Sequence, residues 1–181
     1  VPPTLVAFGV TTANSDKVLS PEFKAAGQHI YYLPGQAISE DIDFDLIKSN
    51  LAKFEEIQAK HAITAASAVK YGGVMESLAL MAFGNRIGAT VEMAELDSSL
   101  TGQLGGFIFT SAEDIADAVK IGQTVADFTV TVNGTALAGS KLLAAFEGKL
   151  DEVYPTEFQQ ATELEDVPAV ALDAVIKAKE T

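Results

Sequence analysis

The sequence predicts an α+β fold, a layered domain in which a mixed β-sheet carries packed helices. Three observations lead there. Residues 44–60, and the stretch between Gly73 and Gly84, repeat apolar side chains at helical spacing. Short β-rich runs stand between and beyond them, with several strands in succession near the end. The 181 residues are 48% hydrophobic and 20% charged, the balance of a chain that buries a core.

Residues 5–12 form the first expected strand, with Val6, Phe8 and Val10 alternating. Ser20-Pro21-Glu22 supplies a cap, a proline at the first helical position and an acid, so a short helix is expected there, stopping at Gly27. Residues 28–33 read as a second strand, closed by Pro34-Gly35. His29 within it reads as a strand residue facing a sheet edge rather than as a ligand contact. Residues 39–45 are acid-rich but lack the glycine and terminal Glu of an EF-hand loop, so they read as a solvated loop whose last acids favour the next helix N-terminus. Residues 44–60 then give a helix with Leu46, Ile47, Leu51, Phe54 and Ile57 on the sheet-facing stripe. His61 follows its last turn, where a cation suits the dipole.

Residues 62–69 are small and apolar, a buried strand feeding Gly72-Gly73. Two glycines let backbone pass close to a neighbour and tolerate positive φ. The next helix turns Val74, Leu78 and Met81 inward, with Leu80 and Phe83 widening the stripe. Gly84-Asn85 ends it, as residues that take the left-handed C′ conformation cheaply. Strand, glycine turn and helix N-terminus together form a candidate anion or nucleotide site. A tight turn whose glycines only permit packing accounts for the same residues. Residues 88–93 form the next strand, 98–106 a loop with Gly102, Gly105 and Gly106, and 107–109 a further strand. The loop resembles a phosphate cradle only loosely, because no Lys-Ser or Lys-Thr follows it. Ser111 opens a short helix by an acidic capping box. Residues 124–132 are β-rich and end in the hairpin pair Asn133-Gly134. Residues 140–150 form a last amphipathic helix. The expected domain spans residues 1–155, and 156–181 an acidic linker or tail with a possible helix over 169–179.

The formal net charge of −13 argues against nucleic acid and anionic membranes as partners. No apolar run approaches the roughly 20 residues that span a bilayer. The absence of Cys removes disulfides, thiolate metal sites and Cys nucleophiles. The opening Val-Pro-Pro-Thr has no initiator Met and no signal-peptide pattern, which reads as a piece of a longer, cytoplasmic protein.

Three stretches carry a resemblance. Pro2-Pro3-Thr4-Leu5 is followed by Ser20-Pro21-Glu22-Phe23-Lys24; Tyr71-Gly72-Gly73-Val74 is followed by Met81-Ala82-Phe83-Gly84-Asn85; and Glu147-Gly148-Lys149-Leu150 runs into Val153-Tyr154-Pro155-Thr156. In this order the chain resembles the long, single-chain form of phosphoribosylformylglycinamidine synthase, at its second aminoimidazole-ribonucleotide (AIR) synthetase-like C-terminal domain, over nearly all residues to Thr156. The resemblance implies an ATP-dependent ligase of purine biosynthesis that makes formylglycinamidine ribonucleotide from formylglycinamide ribonucleotide and glutamine-derived ammonia, with Mg and ATP. It implies N-terminal ligase domains and a glutaminase domain of the same chain as partners.

Many members carry His-Asp-x-Ser-Asp-Gly-Gly before the central helix, with the Asp and Ser serving a metal-nucleotide site. Aligned on Gly72-Gly73, those positions hold Ala68 and Lys70. Ala68 offers no oxygen, and Lys70 repels a cation while remaining able to meet a phosphate. The resemblance therefore points to a structural, pseudo-active copy with no catalytic residue, no metal ligand and no cofactor of its own. Lys70, Gly72, Gly73 and Asn85 remain its nucleotide or phosphate candidates. An acidic non-catalytic binding module and an active ATP-dependent synthetase of the same fold family are the alternatives.

Overall fold

A computed structural model describes residues 4–38, 41–93 and 100–155. Its organising strand is β1 (His29–Leu33), in which Ile30 faces one side of the sheet and Tyr31 and Leu33 the other. All three are buried, so this strand is covered on both faces. A short β2 (Gln36–Ala37) leads to α1 (Phe44–Lys60), and β3 (Ile63–Ala68) to α2 (Gly73–Phe83). Then follow β4 (Gly88–Val91), β5 (Gln103–Leu104), β6 (Phe107–Ser111), β7 (Val119–Val125), β8 (Thr129–Val132), β9 (Thr135–Ala138) and α3 (Gly139–Glu147). Seven strands form one sheet in the order β3-β6-β1-β7-β4-β8-β9, and β2 pairs with β5 in a separate ribbon. The sheet is mixed, because β4 and β8 run parallel while its other neighbours are antiparallel. This is the layered α+β architecture that the sequence predicts.

One face of the sheet packs against α2 through Val74, Leu78 and Met81, which meet Ile30, Ala65, Ile108, Ala89, Val91, Val130 and Val132. On the other face Tyr31, Leu33, Phe109 and Ile115 gather around Ile57 of α1. Phe54 stacks on Phe107 with ring centroids 4.7 Å apart. A fully buried aliphatic side chain contributes about 1.5–3 kcal/mol. With three such residues, α2 anchors the fold more firmly than α1, whose one fully buried apolar residue is Ile57. Leu46 and Leu51, expected on the inner stripe of α1, are exposed. Asp43 caps α1 by accepting from the Asp45 and Leu46 amides, as the acidic loop predicts.

Several sequence expectations yield to tertiary contacts. Residues 5–12 form no strand in this structure; Leu5, Phe8 and Val10 lie in solvent. No helix forms at Ser20-Pro21-Glu22. Phe23 is fully buried, its amide bonds the Met81 carbonyl, and the Ala25 carbonyl takes the Thr124 hydroxyl, so these backbone groups serve partners outside the segment. His29 is not at a sheet edge, because β1 is the third of seven strands. The left-handed residue after α2 is Arg86 (φ 57°), while Gly84 stays right-handed helical.

At Ser111 the cap bond forms, with the hydroxyl accepting from the Glu113 amide. The helix does not follow, because the Tyr31 hydroxyl donates to the Glu113 carbonyl and accepts from the Ile115 amide. The β-rich run 124–132 is two strands, broken at residues 126–128, and β7 begins earlier, at Val119. The Asn133-Gly134 hairpin is present, both residues at positive φ as a type I′ turn requires. By internal contacts the chain divides into Val1–Phe146 and Glu147–Thr181. The expected tail, 156–181, lies outside the described residues. Among the described residues, no helix is long and apolar enough to cross a membrane.

Candidate functional site

The turn from β3 into α2 brings Lys70, Gly72 and Gly73 together. Val69 is buried and its amide bonds the Gly106 carbonyl, which fixes the end of the strand. The Lys70 carbonyl then accepts from two amides, Gly73 at 3.2 Å and Gln103 at 3.1 Å, while the residue itself is exposed. Gly73 sits at φ +70°, a conformation costing other L-residues about 1–2 kcal/mol. The double glycine is thus partly a backbone requirement.

The electrostatics of this turn run against an anion. A helix N-terminus leaves amides unpaired and carries partial positive charge. Here the carboxylate of Glu76, in the first turn of α2, accepts from the Gly72 amide at 2.8 Å. A Cβ added to Gly72 would lie 2.7 Å from the Glu76 Cβ, so the turn closes tightly over this side chain. Ser77, one residue on, is buried and donates to the Gly73 carbonyl at 3.3 Å. Ala68, in the position where the resembled pattern has a metal-binding carboxylate, offers only its methyl group.

Asn85 stands apart from this cluster. It lies beyond the other end of α2, about 15 Å of helix away at 1.5 Å per residue. Its amide donates to the Phe23 carbonyl at 2.8 Å, pinning the segment that precedes β1.

The glycine-rich loop at 102–106 is occupied by close backbone packing. A Cβ on Gly35 would fall 2.4 Å from the Gly106 nitrogen and from the Leu104 carbonyl oxygen. Buried amide side chains satisfy the backbone around this crossing. Gln103 accepts from the Gly35 amide (2.9 Å) and donates to the Tyr32 hydroxyl (2.6 Å), and Asn50 donates to the Pro34 and Gly105 carbonyls (2.8 and 3.0 Å). Burial pushes the Tyr32 phenol up, and the hydrogen bond from Gln103 offsets part of that. Gln103 and Asn50 were not among the residues singled out from the sequence; their signals are a polar residue between the glycines of the 102–106 loop and a polar residue at helical spacing within the Ile47, Phe54 and Ile57 stripe of α1.

Both histidines pair with consecutive acids of the β6–β7 connection. His29 Nδ1 lies 3.0 Å from Asp114 Oδ1 and 3.2 Å from the Tyr31 hydroxyl, and His61 Nδ1 lies 2.9 Å from Glu113 Oε2. Two shallow cavities of about 270 and 240 Å³ flank the segment Asp16–Leu19, the second reaching Ala68. Among the described residues, no group of three or more His, Asp or Glu could hold a metal ion.

Solved structures share this fold. PurLQS from Thermotoga maritima superposes with a TM-score of 0.63 at 15% identity, over 86% of this chain and 31% of that one. Phosphoribosylformylglycinamidine synthase II from the same organism gives 0.62 at 15% identity, over 85% and 30%. The fold is AIR-synthetase-like. A third structure, T. maritima PurL complexed with FGAR, gives 0.58 at 12% identity, over 71% and 30%. The chain spans about 30% of the length of these structures. No protein family and no curated protein matches it by sequence.

Proposed function

We propose that this chain is the structural, pseudo-active AIR-synthetase-like C-terminal domain of a long, single-chain phosphoribosylformylglycinamidine synthase, followed by the linker toward its glutaminase domain. The observation that carries this reading is the Glu76 carboxylate on the Gly72 amide, with Ala68 and Lys70 where the resembled metal-nucleotide pattern needs oxygen ligands. A phosphate approaching Gly72 and Gly73 meets a fixed negative charge, and a divalent ion meets a methyl group and an ammonium. In this reading the chain binds no cofactor. ATP and Mg act elsewhere in the full ligase, whose N-terminal ligase and glutaminase domains are its partners, in the cytoplasm. Exposed Tyr71, Phe44 and Leu100 are apolar surface of the kind that neighbouring domains cover.

Calorimetric titration of the chain with Mg-ADP tests the reading. The expected result is no saturable heat in the micromolar range. A Kd at or below about 1 μM, roughly −8 kcal/mol, overturns it.

A further inference from the structure

We propose that Asn133 is a self-modification site gated by the fold: when the β8–β9 hairpin parts from β4, its side-chain amide closes onto Gly134 and becomes a carboxylate, which does not rebuild the junction. Asparagine stands at 14, 50, 85 and 133, and Asn133 alone precedes a glycine. Glycine has no Cβ to shield its backbone nitrogen, so this nitrogen is open to attack the side chain before it. The turn is exposed, with Asn133 at φ 47° and Gly134 at φ 79°, so water reaches both residues.

The folded chain employs this side chain elsewhere. β4 and β8 pair in parallel as far as Val91↔Val132, and the Asn133 backbone amide donates to the Val91 carbonyl at 3.0 Å. In a regular parallel ladder, Met93 would next bond the carbonyl of residue 133 and the amide of residue 135. The hairpin turns the backbone away at that point, because Thr135 pairs back with Val132. The Asn133 side chain fills both places. Its Oδ1 accepts from the Met93 amide at 2.7 Å, and its Nδ2 donates to the Met93 carbonyl at 2.9 Å. A primary amide has the donor and acceptor of a peptide unit, so it carries the ladder one step past the strands. Met93 in turn packs against the core on the α2 face.

The chemistry balances without any co-reactant but water. The Gly134 nitrogen gives its proton to solvent and bonds to Asn133 Cγ. The Cγ–Nδ2 bond breaks, ammonia leaves with a proton from solvent, and a cyclic imide remains. Water opens the imide at either carbonyl, leaving aspartate or isoaspartate at 133. Attack needs Cγ held against the Gly134 nitrogen, whereas the fold ties both polar atoms on Cγ to Met93 of another strand. Either product has lost Nδ2, so the Met93 carbonyl meets a carboxylate oxygen where it had a donor. Isoaspartate also routes the main chain through the former side chain, which lengthens a turn whose geometry sets the hairpin.

Peptide mapping of the 181-residue chain, held in mildly alkaline buffer either folded or unfolded in urea, tests this. In urea, conversion at Asn133 should run ahead of that at Asn14, Asn50 and Asn85. In the folded chain it should be at least about tenfold slower, because the site reacts only through local opening. Chain converted in urea and then refolded should exchange the backbone amide of residue 133 about tenfold faster than unconverted chain, with the amides of α2 unchanged. Asn133→Asp supplies the aspartate form separately and should show the same loss; if it does not fold, the ratio of folded to unfolded conversion rates carries the test. Equal rates in the two states, no preference for Asn133 in urea, or converted chain that keeps full protection at residue 133 overturns the proposal.

Discussion

Glu76 accepts a hydrogen bond from the backbone amide of Gly72 at 2.8 Å, so α2 closes its own first turn with its own carboxylate. The charge that a helix N-terminus ordinarily offers to a ligand is taken up inside the element.

This makes Glu76 a stability residue. Glu76→Ala removes both the acceptor and the charge and should cost about 1–2 kcal/mol, the scale of a lost N-terminal cap. Glu76→Gln keeps an acceptor and should cost about half as much, because the interaction of the charge with the dipole is worth about 0.3–1 kcal/mol. Urea unfolding of the three proteins gives the comparison. Equal stability of Glu76→Ala and the parent would show that the bond contributes nothing.

Tyr31→Phe reads the connection between β6 and β7. The hydroxyl is the partner of the Glu113 carbonyl and the Ile115 amide, and the ring is buried against Phe109. Losing it leaves two backbone groups unpaired, at about 1–3 kcal/mol each when water does not replace it. A destabilisation of about 2 kcal/mol is expected, with faster amide exchange at Ile115 and little change in α2. Unchanged exchange at Ile115 would assign the hydroxyl no role in holding the connection.

The pH dependence centres on Glu22. The hydrogen bond from the Lys24 ammonium, then its own backbone amide and the Ser20 hydroxyl, hold its carboxyl down at about 2, against 4.5 for the free group. A folded-state value below the unfolded one stabilises above the unfolded value, and that stability is lost as pH falls through the folded one. The stability difference between the parent and Glu22→Gln should therefore be full above about pH 5 and shrink between pH 4.5 and 2. It should also shrink with salt, because the group is exposed. Thermal unfolding across that range measures it. A difference independent of pH would remove the ion pair from the account.

Much of this architecture was legible in periodicity. The helical spacing in residues 44–60 and after Gly73, the strand at His29–Leu33 and the Asn133-Gly134 turn all follow from local pattern. What was not legible was decided by partners distant in sequence. Phe23 sits among core residues instead of in a helix turn because Met81 and Asn85 hold its backbone. The cap at Ser111 does not propagate because a hydroxyl 82 residues earlier in the chain takes the Glu113 carbonyl. At the candidate site the glycines were legible, and their neighbour was not. Glu76 reads as an ordinary first-turn acid until the backbone shows which amide it meets. Asn85 was legible as a helix end, whereas its service to the segment before β1 required the fold.

The position of β1 also bears on how the protein comes into being. Its two ladder partners, β6 and β7, are both made long after it, and both flank it in the finished sheet. During synthesis this strand therefore waits for its first ladder, and Tyr31 for the Phe109 ring, until the chain has reached Ser111, and for its second ladder until Val125. Such distant pairing pays its loop entropy before any contact rewards it, which slows closure. In that interval the nascent chain presents a β-prone apolar segment to its surroundings, and the time when it is most open to aggregation comes before its fold exists.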